Sequence, residues 1–157
     1  NEVYNSYRLN RSDLRTNWPR GGNLDARVEI ARGAFLDAAA RRRIFISFHA
    51  DIDANAPEAP LVLYYESSDG RKRDSASRRF ARALLPALGA GARIRGQPLG
   101  VLRRNPADVK VLVELRNLAY TDHAWALRFE ALRQRDAEKV VKGILDYAGS
   151  ESRSAAR

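Results

Sequence analysis

The sequence predicts one α/β domain built on a largely parallel twisted sheet flanked by helices. Short apolar, β-branched runs alternate along the chain with longer segments whose apolar residues recur every three or four positions. Two of the runs, Ile44–His49 and Val109–Leu115, lack the apolar/polar alternation of a one-sided strand, as expected where both faces of a sheet are covered. No repeat or interdomain linker interrupts the 157 residues. One core suffices for that length, since such a domain buries on the order of 70% of its unfolded surface.

Taken in order, Tyr7–Asn10 has the residues of a short strand, and the stretch through Asp13, Asn17, Pro19, Gly21 and Gly22 has turn chemistry. Asn23 is placed to cap a helix carrying Leu24, Val28, Ala31, Phe35 and Ala38 and ending near Ala40. Arg41, Arg42 and Arg43 suit its negative C-terminal end. Ile44–His49 follows as a strand. Pro57 and Pro60 break the chain before a second strand, Leu61–Glu66. The loop "DGRKRD", Asp69–Asp74, reads as a solvated turn, and Asp74 or Ser75 caps a helix with Ala76, Phe80, Ala83, Leu84 and Ala87 along one stripe. Gly89 and Gly91 close it. Leu99–Leu102 is expected to be a brief strand and Val109–Leu115 a strongly apolar one. Thr121 begins a helix, and Asp136 is expected to cap a last one that carries Val140, Val141, Ile144 and Leu145 and ends at Gly149. The small, polar residues 150–157 read as a frayed tail.

Composition bounds the function classes. With no cysteine, disulfide frameworks and thiolate metal sites are excluded, and no apolar run approaches the ~20 residues needed to cross a bilayer. The chain opens on Asn1 and contains no methionine, which leads us to expect a cleaved leader or a piece of something longer. The net charge is +9, carried by 24 Arg against 4 Lys. An anionic partner and a set of solvated helix faces both explain such a charge.

In α/β sheets, ligands collect beyond the carboxyl ends of the strands. His49 closes one doubly covered strand and Glu114 nearly closes another, so both are candidates for the same rim. His49 shares a strand face with Ser47, and Glu114 shares one with Lys110 and Leu112. A carboxylate within "VLVELR" is costly unless it is paired or bound to something. Residue types alone leave two readings open: hydrogen-bonded rim residues, with Glu114 paired to Arg116, or a metal and acid/base site. His123 lies just inside a helix start, where a solvated polar residue needs no special role. Dinucleotide, Walker, HExxH and GxSxG motifs are absent. The basic loop has no interleaved aromatics of the kind that stack nucleic-acid bases.

Three segments in order, "LDARVEIA" (Leu24–Ala31), "IFISFHAD" (Ile44–Asp51) and "VLVELRNL" (Val111–Leu118), resemble the zinc-dependent N-acetylmuramoyl-L-alanine amidases of bacterial cell-wall turnover. Their pattern is approximately "L..R...AN", then "F.SIHAD", then "LVE.GF.SN". The resemblance runs from about Tyr7 to Gly149 and implies a catalytic domain over residues 1–149 that lacks its N-terminal part. It implies that His49 is a ligand of Zn²⁺ and Glu114 the catalytic glutamate, acting on the bond between muramic acid and L-alanine in peptidoglycan. Asp51 and Arg116 are the substrate-binding candidates. Arg116 stands where the family has glycine, and either recognition of a stem-peptide carboxylate or neutralisation of Glu114 would suit it. The family's other two zinc ligands, a histidine in a "GHGG" turn and a glutamate on the next helix, lie upstream of the matched span. An N-terminal segment or a second chain is therefore expected to supply them. The span from Glu66 to Leu99 has no room for the helical insertion that blocks the site in division-linked members. A periplasmic or extracellular location follows from the resemblance. The alternatives are a non-catalytic peptidoglycan-binding remnant and, ranked below it, a basic nucleic-acid-binding domain.

Overall fold

Runs of β-branched and aromatic residues at three places along the chain form three strands of a four-stranded sheet. The computed structural model describes residues 22–36 and 42–155. Their order is α1 (Gly22–Leu36), β1 (Ile44–Asp51), β2 (Leu61–Tyr65), α2 (Ser75–Leu88), β3 (Arg93–Gln97), α3 (Gly100–Arg103), β4 (Val109–Asn117), α4 (Thr121–Ala126) and α5 (Glu130–Ala155). The strands lie in the order β1-β4-β2-β3. β1 runs parallel to β4 and β2 parallel to β3, while β2 is antiparallel to β4. Two of these three pairings are parallel, as expected, and the sheet is mixed because β2 and β3 point the other way. The carboxyl ends of β1 and β4 therefore open on one rim together.

β4 is covered on both faces. On one, Val109, Val111 and Val113 pack with Val62 and Tyr64 against Phe80, Leu84 and Leu88 of α2 and Val140 and Tyr147 of α5. The rings of Phe80 and Tyr147 meet edge-on at 4.9 Å. On the other face, Leu112 and Leu63 pack with Val101 and Leu102 of α3, and α1 lies against α3. Each fully buried side chain of this size contributes about 1.5–3 kcal/mol, so the two layers fix the central strand firmly. β1 is less enclosed. Among the described residues it pairs on one side only, and Phe48 is 56% exposed.

Local chemistry accounts for the element ends. Asp74 caps α2, its Oδ1 accepting from the Ser77 backbone N–H at 2.9 Å, and Gly89 stops the helix at a φ of +107°. In the basic loop Gly70 has a φ of +69°, and Arg73 pairs with Glu66, holding that carboxyl below its ordinary range. The loop is a turn, as its residues suggested.

Four expectations are corrected. The third strand is Arg93–Gln97, not Leu99–Leu102, which lies in the turn leading into α3 and in its first three positions. The edge strand alternates exposed arginines with a single inward Ile94, a pattern hidden by its charge. The last helix begins at Glu130, so Asp136 lies inside it and does not cap it. The helix also runs through Gly149 to Ala155, replacing a frayed tail over those residues. Gly149 keeps a negative φ, Ser150 and Ser152 donate back to the carbonyls of Tyr147 and Ala148, and Arg42 ties Glu151 and the Tyr147 hydroxyl to the segment before β1. α1 already includes Gly22 and Asn23, so Asn23 lies inside the helix and does not cap it; the expected strand at Tyr7–Asn10, the turn through Gly21 and the helix end near Ala40 lie outside the described residues.

Candidate active site

β1 and β4 are aligned so that His49 stands directly beside Glu114. Side chains of in-register neighbours project from the same face, and adjacent strands lie about 4.8 Å apart, so the imidazole and the carboxyl share one rim position. Leu61 of β2 flanks Glu114 on its other side. Ser47, two residues back on the same face, holds the His49 Nε2 at 3.0 Å from its Oγ, which sets the ring's orientation. His49 is exposed and Glu114 is half-buried.

Glu114 is the electrostatic anomaly of the molecule. Its Oε2 is buried with no hydrogen-bond partner among the described residues. Burial, and then the negative charge of Asp51, push its carboxyl up to about 7. Asp51 closes β1, where its Oδ1 accepts from the backbone N–H groups of Ile52 at 2.7 Å and Asp53 at 3.2 Å. A small cavity is lined by Asp51, Ala56, Pro57, Leu61, Glu114 and Arg116. A second, largely apolar groove of about 370 Å³ starts at Phe48 and His49 and runs toward Leu127 and Ala137.

The register breaks just past the site. His49 faces Glu114, but Ala50 faces Arg116, leaving Leu115 as the extra residue of a β-bulge. Arg116 is thereby turned to the α5 side, where its Nε and Nη2 reach the two oxygens of Asp136 at 2.8 and 3.2 Å. Neutralisation of Glu114 was one role weighed for Arg116; the structure pairs Arg116 with Asp136 instead. Sequence reasoning missed Asp136 by reading it as a helix cap. It missed Asn117 as well, whose buried side chain donates to the Asp53 carbonyl at 2.7 Å and accepts from the Ala119 N–H at 3.0 Å. Asn117 joins the loop after β1 to the loop after β4, and nothing in its sequence context separates it from a solvated loop asparagine. His123 is more engaged than expected: its Nδ1 accepts from the Asn117 N–H at 3.1 Å.

Among the described residues no three His, Cys, Asp or Glu side chains gather as a metal site. What they offer is one imidazole beside a buried, unpartnered carboxylate oxygen. That donor chemistry suits one metal ligand and a proton-accepting base.

No family model and no curated protein matches the chain. Solved structures do. The catalytic domain of CwlV, an N-acetylmuramoyl-L-alanine amidase from Bacillus (Paenibacillus) polymyxa var. colistinus, aligns at 25% identity and a TM-score of 0.59, covering 80% of this chain and 65% of that one. The amidase AmiC2 of Nostoc punctiforme aligns at 22% identity and 0.58, with 80% and 65% covered. The fold is that of N-acetylmuramoyl-L-alanine amidase catalytic domains. Ami1, the amidase from Mycobacterium smegmatis, agrees at 22% identity and a TM-score of 0.60, covering 81% of this chain and 61% of its own. The chain thus spans a little under two thirds of the length of the amidase structures it matches.

Proposed function

We propose that the protein hydrolyses the amide bond between N-acetylmuramic acid and L-alanine in peptidoglycan, with Glu114 moving the proton and His49 as a ligand of zinc. One observation carries the reading: His49 and Glu114 stand side by side on the rim of a fold similar to amidase catalytic domains. Zinc, when bound, would supply Lewis-acid polarisation of the scissile carbonyl and of the attacking water. Glu114 accepts the proton of that water and returns it to the departing amine of L-alanine. A carboxyl near pH 7 is suited to both steps, because it gives up the proton as readily as it takes it. Ser47 orients the His49 ring. Asp51, at the edge of the same cavity, contacts the substrate.

A catalytic zinc normally has three protein ligands and one open position. His49 is one. The other two come from outside the described residues, on an N-terminal segment or a second chain. The substrate places the protein in the cell envelope, outside the cytoplasm, and among the described residues no helix is long and apolar enough to cross a membrane.

The test is product analysis. Protein completed with the segment or chain that supplies the other two ligands, loaded with zinc and incubated with purified muropeptides, is expected to release stem peptides with a free L-alanine amine, leaving disaccharides with a free lactyl carboxylate. Cleavage at a glycosidic bond, or at a peptide bond within the stem, would contradict the proposal. Retention on sacculi without any cleavage would instead support a non-catalytic wall-binding role.

A further inference from the structure

Resting on that reading of Glu114, we propose that Asp136 is a positioning residue: together with the bulge at Leu115 it holds Arg116 on the α5 face of the sheet and keeps a guanidinium off Glu114. In a regular strand residues 114 and 116 project from the same face. Arg116 would then lie beside Glu114, where a fork of N–H donors binds both carboxylate oxygens and lowers their basicity toward water. The observed register avoids this. Arg116 pairs with Ala50, one step out of phase with the His49–Glu114 pair, and so projects to the opposite side.

Arg116 and Glu114 remain close neighbours, bordering the same small cavity with Asp51 and Asn117. Asp136 supplies the force that fixes the direction. It sits inside α5 with its side chain only 9% exposed, and it engages Arg116 through two hydrogen bonds, with Lys139 at 3.8 Å on the same carboxylate. A carboxylate so enclosed is costly unless paired, which makes the Arg116 orientation the favourable one. Leu115, the residue the bulge adds, packs on the main core and anchors the break from that side. Nothing else in the mechanism uses Asp136.

The experiment compares wild type, D136N and the double variant D136N/R116Q by crystal structure and by muropeptide hydrolysis. In D136N the Arg116 guanidinium is expected on the Glu114 carboxylate, with kcat lower by about 10², the loss of a general base, and KM unchanged. The double variant, lacking the intruding cation, is expected to recover most of that loss, which a merely structural role for Asp136 does not allow. D136S repeats the comparison if D136N does not fold. Arg116 remaining away from Glu114 in the single-variant structure, or a double variant no faster than D136N, overturns the inference. All three proteins are completed with the segment or chain that supplies the other zinc ligands; failure of that zinc-loaded wild type to cleave the amide sinks the reading of Glu114, and the position of Arg116 in the D136N structure then decides the inference alone.

Discussion

Replacing Glu114 by Gln in protein freed of metal by a chelator is expected to stabilise the fold at alkaline pH and to do nothing at acid pH. The carboxyl is held at about 7 in the folded chain, against 4.5 as its ordinary value. A raised value means that the folded state binds the proton more tightly than the unfolded state does. The stability it contributes is fully present below pH 4.5 and is lost as pH rises through 7. Each unit between those values is worth about 1.4 kcal/mol, so ionising Glu114 at pH 8 costs at most about 3.5 kcal/mol. Partial exposure of the side chain reduces this to about 1–2 kcal/mol. Gln keeps the shape without the charge and removes that cost. In a chain of this length each kcal/mol moves Tm by about 2–4 °C, so the variant should melt about 2–8 °C above wild type at pH 8. At pH 4 the two should melt together, apart from any constant cost of burying the amide, which cancels between the pH values. Thermal melts followed by circular dichroism at both pH values make the comparison. An equal difference at pH 4 and pH 8, or a variant less stable at pH 8 alone, would show that Glu114 is paired in the folded protein and that burial does not dominate its chemistry.

Other outcomes follow from the packing and from the site. Gly143→Ala should destabilise by about 1–3 kcal/mol in thermal melts despite alanine's better helix propensity, because the new Cβ would come within 2.7 Å of Leu84 Cδ2. Gly149→Ala should stabilise by up to about 1 kcal/mol, since its Cβ meets nothing nearer than the Arg153 guanidinium at 3.6 Å; a loss there would show that the helix end is not continuous. In equilibrium dialysis the 157-residue chain alone should hold zinc weakly, and His49→Ala should remove what it holds; tight one-to-one binding would mean that the missing ligands are within this chain. Retention on sacculi should persist at moderate salt, whereas binding to DNA or RNA, if charge alone drives it, should fall steeply with ionic strength.

How far the sequence discloses this molecule depends on which interactions fix each part. β4 was legible because enclosure on both faces leaves an unbroken apolar run, and α2 because Asp74 and Gly89 mark its ends. β3 was not, since an edge strand is held by backbone pairing to β2 while its side chains, Arg93 and Arg95, face water. The true length of α5 was hidden for a related reason: Gly149 resembles a helix stop, and the contacts of Arg42 with Tyr147 and Glu151 that retain the last turns are distant in sequence. Within the candidate site, His49 and Glu114 stood out as candidates because an ionisable residue at the end of an apolar strand is unusual, and the structure brings the two side by side. Their side-by-side register was not readable, nor was the bulge that follows it, because alternation assigns Arg116 to the face of Glu114. Asp136 and Asn117 carry no local signal at all. Their roles arise from partners on other elements.

The measurement closest to the central claim is the rate of amide hydrolysis by Glu114→Gln beside its zinc content, in protein that is active as wild type. The account predicts a loss of about 10²–10⁴ in rate with zinc nearly unchanged, since the amide keeps the side chain's shape but accepts no proton. Activity within a few-fold of wild type would show that another group moves the proton and that the carboxyl beside His49 is not the base.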